Sequence, residues 1–324
     1  MNKNIIKILI VGAGNIGSRH LEGAVKNKNQ LSLVIFDKSE KALDLSKKKI
    51  SKKNYGNKLT DLIFTTEAPK DVSFDICLIC TTADNRANIT LDLLNKCHFK
   101  NIIFEKVLFQ KIIDFKIISN ILKKRFIKAW VNCPRRTYSF YKDIKKLINL
   151  NSPVEIDVSG SHWGFACNSI HFVDLFSYLV EENNFKIVDK NFSETITKSC
   201  RGKNFFELNG SIKFAIERHF MKISCYDNCD PYLNIKIKNG KTENVVNESA
   251  EIWQSYNSGL KNMKKIKIPY QSNETEFLID DILNDKCGLV SYENSCKHHI
   301  FLLDVIREHM SKILNKKLIE CPIT

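Results

Sequence analysis

Five short apolar runs punctuate the first 125 positions: Ile5–Val11, Leu31–Phe36, Leu62–Phe64, Ile76–Cys80 and Ile102–Phe104. They are rich in isoleucine, valine and leucine, as strands buried on both faces of a parallel sheet should be. Between or after them, Ile16–Asn27, Glu40–Lys49, Asn85–Cys97 and Ile112–Lys124 carry apolar residues at helical spacing. Strand–helix alternation of this kind requires right-handed crossovers. It predicts an α/β domain of Rossmann type over residues 1–125.

The pattern changes after about Lys128. Tyr138–Ile148 and Ile170–Val180 read as helices, and Val154–Ser161 alternates as a half-buried strand. Ile212–Ile216, Met221–Cys225 and Leu233–Ile237 read as further strands, with turn signals at Asn209-Gly210 and Asn239-Gly240. An amphipathic stretch, Ser291–Leu314, predicts a final helix over about 291–315. Residues 126–324 are therefore expected to form a second, α+β domain whose sheet is largely antiparallel. Helices on one side of such a sheet would leave an apolar face that needs a cover. Self-association through the second half is the expected cover.

The composition is that of an ordinary globular protein, with 43% hydrophobic and 27% charged residues. The formal charge of +14 comes mostly from lysines scattered in clusters such as Lys47-Lys48-Lys49 and Lys264-Lys265. Without interleaved aromatics these read as a solvated basic face, and no nucleic-acid partner is expected. Ile5–Val11 is too short for a membrane span and runs into a turn instead of a cleavage site. A cytoplasmic protein with no membrane contact is expected. The 11 cysteines are odd in number and scattered. Cys77 and Cys80 would point to opposite faces of one strand, and Cys225 and Cys229 have no second pair at zinc spacing, so free thiols and no metal are expected.

The strongest chemical signal is Gly12-Ala-Gly14-Asn15-Ile16-Gly17, which follows the first strand and opens a helix. Gly12 permits the tight turn, Gly14 the approach of a pyrophosphate, and Gly17 close helix–strand packing. The phosphates would sit over unpaired N–H groups of the helix. Asp37 stands 20 residues beyond Gly17, at the end of the second strand, where it can accept hydrogen bonds from a ribose diol and repel a 2′-phosphate. NAD is the expected cofactor, and Lys38 keeps NADP open. Thr81, Thr82 and Arg86 after the fourth strand, and Glu105-Lys106 after the fifth, stand at strand carboxyl ends, where such sheets bind ligands. A partly desolvated lysine beside an oxidised nicotinamide would be poised for proton transfer.

Taken in order, Gly12–His20 (GAGNIGSRH), the threonine-rich turn leading to Arg86, Phe104-Glu105-Lys106, Asn132-Cys-Pro-Arg135-Arg136 and His171-Phe-Val-Asp174-Leu175 resemble the glucose–fructose oxidoreductase/inositol dehydrogenase (Gfo/Idh/MocA) family. Ile268-Pro-Tyr and Ser291-Tyr-Glu with the final helix also fit, so the resemblance spans the chain. It implies an open-faced sheet in the second domain and assembly as a homodimer or homotetramer. It also implies hydride transfer to or from a hydroxyl carbon of a sugar, cyclitol or nucleotide sugar, with bacterial surface-polysaccharide biosynthesis as one setting.

On this resemblance Lys106 and His171 become the catalytic candidates. Gly12, Gly14, Asn15, Ile16, Gly17, Asp37, Lys38, Thr81, Thr82, Arg86, Glu105 and Lys106 would bind the cofactor. Lys106, Arg135, Trp163, Cys167, Asn168 and His171 would bind the substrate. Arg135 and Arg136 fit either anionic substrate groups or interdomain ion pairs, while Asp174 is expected to pair structurally.

Two departures stand out. Val107 follows Lys106 where the family usually has proline, and Cys167 fills a slot, one turn before His171, that is often acidic or asparagine. They favour a non-catalytic NAD-binding sensor as an alternative reading; a redox-assisted glycosidase or epimerase of the same fold is another.

Overall fold

The computed structural model describes residues 5–51, 58–227 and 230–324, so Cys229 lies outside the described residues. In the first unit the apolar runs become β1 (Ile6–Val11), β2 (Leu31–Phe36), β3 (Leu59–Thr65), β4 (Ser73–Ile79) and β5 (His98–Phe104). Between or after them lie α1 (Asn15–Ala24), α2 (Glu40–Ser51), α3 (Ala83–Lys96) and α4 (Ile112–Lys124). β6 (Lys128–Val131), α5 (Ser139–Lys146), β7 (Val154–Ser161) and α6 (Phe165–Val180) follow. Then come β8 (Phe185–Lys198), β9 (Phe206–Ile216), β10 (His219–Cys225), β11 (Tyr232–Asn239), β12 (Thr242–Asn247), β13 (Ile252–Asn257) and β14 (Leu260–Lys265). The chain closes with α7 (Gln271–Leu283), the short β15 (Val290–Ser291) and α8 (Tyr292–Ile313).

The chain divides into two compact units, 1–132 with 269–293, and 133–268 with 294–324. The expected boundary at 125/126 therefore moves, for two physical reasons. β6 extends the first sheet, pairing parallel with β5 in the register Asn101↔Lys128 to Phe104↔Val131. α7 then returns from late in the sequence to cover α1. A Cβ at Gly23 would lie 2.6 Å from the Thr275 Cβ, so only glycine lets the two helices approach this closely. Leu278, Ile279 and Ile282 of α7 complete the core formed by Leu21, Ala24 and Leu33. Each such side chain contributes roughly 1.5–3 kcal/mol on burial.

The first sheet has the strand order β15-β6-β5-β4-β1-β2-β3 and is parallel except for β15. This is a Rossmann-type α/β arrangement, and the order reverses between β4 and β1. Crevices at such reversals, at strand carboxyl ends, are the usual ligand sites.

The second unit holds an eight-stranded sheet, β14-β13-β12-β11-β7-β10-β9-β8. All its pairs are antiparallel except β7–β10. One face packs on α6, through contacts such as Phe176 on Phe214. Asn239-Gly240 forms the expected turn, with Gly240 at φ 59°. Asn209-Gly210, expected to turn, instead lies inside β9. Gly210 is needed there because a Cβ would meet the Asn191 carbonyl oxygen at 2.4 Å, so glycine admits the neighbouring β8 backbone.

The other face of this sheet is open, but it is not apolar. Asp157 stands between Lys222 and Lys236, and Glu155 beside Lys238. Lys236 pairs with Glu243 at 3.0 Å. With Lys213 these residues line a cavity of about 530 Å³. The hydrophobic argument for a covering subunit therefore falls away, because alternate positions on these strands carry lysine and carboxylate. Pairing of two copies through this face would be charge on charge. Sedimentation is expected to show any such dimer weakening as salt rises, since screening shortens from about 10 Å at 0.1 M to about 3 Å at 1 M. A dimer indifferent to salt would have its contact elsewhere.

No helix among the described residues is long and apolar enough to cross a membrane. None of the ten described cysteines forms a disulfide.

Candidate functional site

In the first unit the glycine segment leaves β1 with the Gly12 amide donating to the Phe36 carbonyl at 2.8 Å. Gly12 has φ 95°, and a Cβ at Gly17 would fall 1.8 Å from the Gly12 carbonyl oxygen, so both positions demand glycine. At Gly14 a Cβ would meet nothing within 4 Å. Gly14, Asn15 and Ile16 are exposed, and α1 begins without a side-chain cap or an acidic residue in its first turn. Its leading N–H groups therefore have no side-chain acceptor, as an anion site requires.

The Asp37 carboxylate ties this loop together. One oxygen accepts from the Ala13 amide at 2.7 Å and the other from the Ser39 amide at 2.8 Å. Each oxygen keeps a second lone pair, so a diol can still be accepted. Asp37 and Lys38 line a cavity of about 690 Å³ with Gly12, Gly14, Thr81 and Thr82. Asn85, Asn88 and Ile89 of α3 also line it. All three are residues that sequence reasoning missed; their position in the first turns of the helix that follows Thr81-Thr82 was the available signal. The Thr81 hydroxyl oxygen is buried without a hydrogen-bond partner in the fold, a further sign that the crevice suits a polar ligand. Asp37→Ala is expected to weaken NAD by about ten- to a hundredfold, the worth of one hydrogen bond to a charged group. The preference over NADP should erode with it. Calorimetry finding unchanged affinity would refute the role.

Arg86 sits elsewhere. It is 1% exposed and does not line the cavity. Its guanidinium donates to the carbonyls of Thr81, Val107 and Leu108, the last at 3.0 Å. Burial lowers its pKa to about 10 against the pull of Glu105, Cys80 and Asp84, leaving it charged at neutral pH. Arg86 thus clamps the turn after β4 to the segment that follows Lys106. It positions the crevice without facing it.

Lys106 is half-buried at the carboxyl end of β5, and the Lys106–Val107 peptide is cis. Its neighbour Glu105 is buried and also leaves the cofactor wall. Glu105 Oε1 accepts from Asn132 Nδ2 at 2.6 Å and meets His20 Nε2 at 3.0 Å. His20 Nδ1 lies 2.9 Å from the Thr275 hydroxyl, and Asn132 also donates to Gln271 at 2.8 Å. Burial alone would lower the His20 pKa, yet Cys80 and Glu105 beside the ring raise it to about 10. Burial pushes the Glu105 carboxyl up, but His20, Asn132 and Arg86 outweigh it and hold it below its ordinary value. An imidazolium–carboxylate pair therefore joins α1, β5, β6 and α7 directly behind Lys106.

In the second unit α6 carries Cys167, Asn168, His171 and Asp174. His171 is half-buried, with Nδ1 inside the fold. Cys167 is fully buried, and burial and Glu207 push its thiol up to about 12. It is a neutral thiol at any ordinary pH. Asn168 donates to the Trp163 carbonyl at 2.6 Å and accepts from Arg201 at 3.1 Å. The half-buried Trp163 donates to the Ser224 carbonyl at 3.3 Å.

Arg135 is not available to a substrate anion. It makes a two-point pair with Glu248 at 2.9 and 2.6 Å and stacks on Phe172 at 4.4 Å. Arg136 pairs likewise with the buried Asp174, at 2.9 Å to each oxygen. Both ion pairs lie within the second unit, and Asp174 is structural as expected.

Glu207, on β9, went unnoticed in the sequence. Its Oε2 accepts from the Ala166 amide at 2.8 Å and the Cys167 amide at 3.4 Å, capping α6. No local pattern links positions 40 residues apart, so only the sheet could reveal it.

Residues 6–133 match the model of the oxidoreductase family with an NAD-binding Rossmann fold, Gfo/Idh/MocA. No curated protein matches the sequence. Solved structures share the fold at low identity. Levoglucosan dehydrogenase, solved with NADH and levoglucosan, is 14% identical at a TM-score of 0.72, over 96% of this chain and 98% of its own. UDP-N-acetylglucosamine 3-dehydrogenase GnnA from Acidithiobacillus ferrooxidans is 11% identical at 0.68, over 93% and 97%. A super-repressor mutant of Gal80p from Saccharomyces cerevisiae is 13% identical at 0.72, over 95% and 97%.

Proposed function

We propose, from the match of residues 6–133 to the NAD-binding Rossmann domain of the Gfo/Idh/MocA oxidoreductases, that the protein acts as a member of that family and transfers a hydride reversibly between NAD(H) and a hydroxyl carbon of a sugar, cyclitol or nucleotide sugar. One observation carries this reading. Lys106 stands half-buried at the end of β5, on the same carboxyl edge of the sheet as the Gly12–Gly17 loop, Asp37 and Thr81.

The bound nicotinamide supplies the hydride chemistry. Lys106 Nζ takes the hydroxyl proton during oxidation and returns it during reduction. Arg86 and the His20–Glu105 pair fix the backbone on either side of that lysine. His171 assists by hydrogen-bonding a substrate oxygen, and Trp163 offers a ring face to the sugar. Cys167, buried and neutral, moves no proton. Activity on a nucleotide sugar would suit surface-polysaccharide biosynthesis, where such substrates are consumed.

The test is absorbance of NADH against a panel of sugars and nucleotide sugars. Product without net NADH would indicate transient oxidation, as in a redox-assisted glycosidase or epimerase. NAD binding with no reduction by any sugar would favour a sensor. The likeness of fold to a repressor supports that second reading.

A further inference from the structure

The second unit contains a cavity of about 260 Å³ whose wall includes Trp163, Asn168, Arg201, Glu207, Asn209 and Asp227. That volume is near the small end of ligand pockets. It suits a single sugar ring and is too small for a dinucleotide.

Its polar groups are held by one another. Asn209 donates to Asp227 at 2.7 Å, and Asp227 also faces the His162 ring at 3.2 Å. Asn168 bridges the Trp163 carbonyl and Arg201. Gly164, at φ 75°, leaves the floor open. A Cβ there would come within 3.1 Å of both Glu207 Oε1 and Asn168 Nδ2. Trp163 is half-buried and braced edge-on by Phe172 at 5.4 Å, so its indole is fixed at the cavity wall.

We propose that Glu207 is a sugar-binding residue, whose carboxylate accepts hydroxyl groups of a monosaccharide ring lying in this cavity against Trp163. The inference rests on the sugar reading above and adds a residue to it. Oε2 accepts from the start of α6 and the Cys167 thiol also donates to the carboxylate, which together fix the group in place, while Oε1 is the oxygen nearest Gly164. A rigid acceptor of this kind loses little entropy on binding. Burial raises the Glu207 pKa, as expected of a carboxylate withdrawn from bulk water. Arg201 is the cation acting on it, and the cavity lining as a whole carries Arg201 and Lys198 against Glu207 and Asp227. A neutral polyol therefore fits the balance of charge better than an anion.

Glu207→Gln separates binding from structure. The amide oxygen can still cap α6, so the fold should stand, but one acceptor becomes a donor and the charge is lost. Saturation-transfer NMR titrations with D-glucose and N-acetyl-D-glucosamine read the affinity without requiring turnover. The expected result is binding to the wild type, weakened about ten- to a hundredfold in Glu207→Gln at unchanged melting temperature. Trp163→Phe should weaken it less, since a ring face remains. Equal affinity in wild type and Glu207→Gln overturns the assignment, as does failure of either sugar to bind the wild type. A wild type that binds these sugars yet yields no NADH from the wider panel would instead sink the dehydrogenase reading and leave Glu207 standing.

Discussion

Lys106→Met is expected to leave NAD(H) affinity almost intact while lowering kcat by about 10²–10⁴-fold, the usual worth of a general acid–base group. Methionine retains most of the apolar stem, and the surrounding segment is pinned independently. Arg86 grips the Val107 and Leu108 carbonyls, and Glu105 is held by His20 and Asn132. The loss should therefore fall on the chemical step, not on KM. His171→Ala should do less harm if the histidine only orients substrate. With Cys167 buried and its thiol pushed up to about 12, no ionised group from that slot raises the basicity of His171. Steady-state kinetics on an identified substrate, with circular dichroism of both variants, decides between them. A Lys106→Met enzyme retaining more than about a tenth of the wild-type rate would transfer the role to His171.

The second large effect concerns the pair behind that lysine. Glu105→Ala strands a buried imidazolium, and breaking such a pair typically costs about 3–5 kcal/mol. Thermal melts should show a markedly lower transition at neutral pH. The pH dependence has a definite sign. The His20 pKa rises from its ordinary 6.5 to about 10 on folding. Its contribution is therefore complete below about pH 6.5 and is lost as pH climbs toward 10. Glu105 is shifted down from its ordinary 4.5, so its share is present above that pH and fades as acid is added. The pair stabilises most between about pH 4.5 and 6.5. Glu105→Ala should flatten the alkaline decline as well as lower the whole curve. An alkaline slope identical to that of the wild type would show that His20 is not charged in the fold.

Much of the first unit was legible from local pattern. Apolar runs at strand length, helical spacing between them and a glycine loop at the right junction are short-range signals, because a strand buried on both faces cannot alternate. Gly12, Gly14 and Gly17 could be placed for the same reason, since they serve a turn that the chain forms with its own neighbours, and Asp37 could be placed by its spacing from them at the end of the second strand.

What the sequence could not decide depends on residues far apart. Arg86 had the right address for a cofactor ligand, yet three carbonyls brought together by β4 and β5 claim it. Arg135 likewise belongs to Glu248, 113 residues away. The return of α7 onto α1, the charge on the open sheet face and the arrival of Glu207 at the start of α6 all follow from sheet order and register. Local propensity says where strands and helices begin. Only tertiary packing says which charged side chain finds a partner and which is left to face a ligand, because that choice is set by burial and by neighbours the chain supplies from a distance.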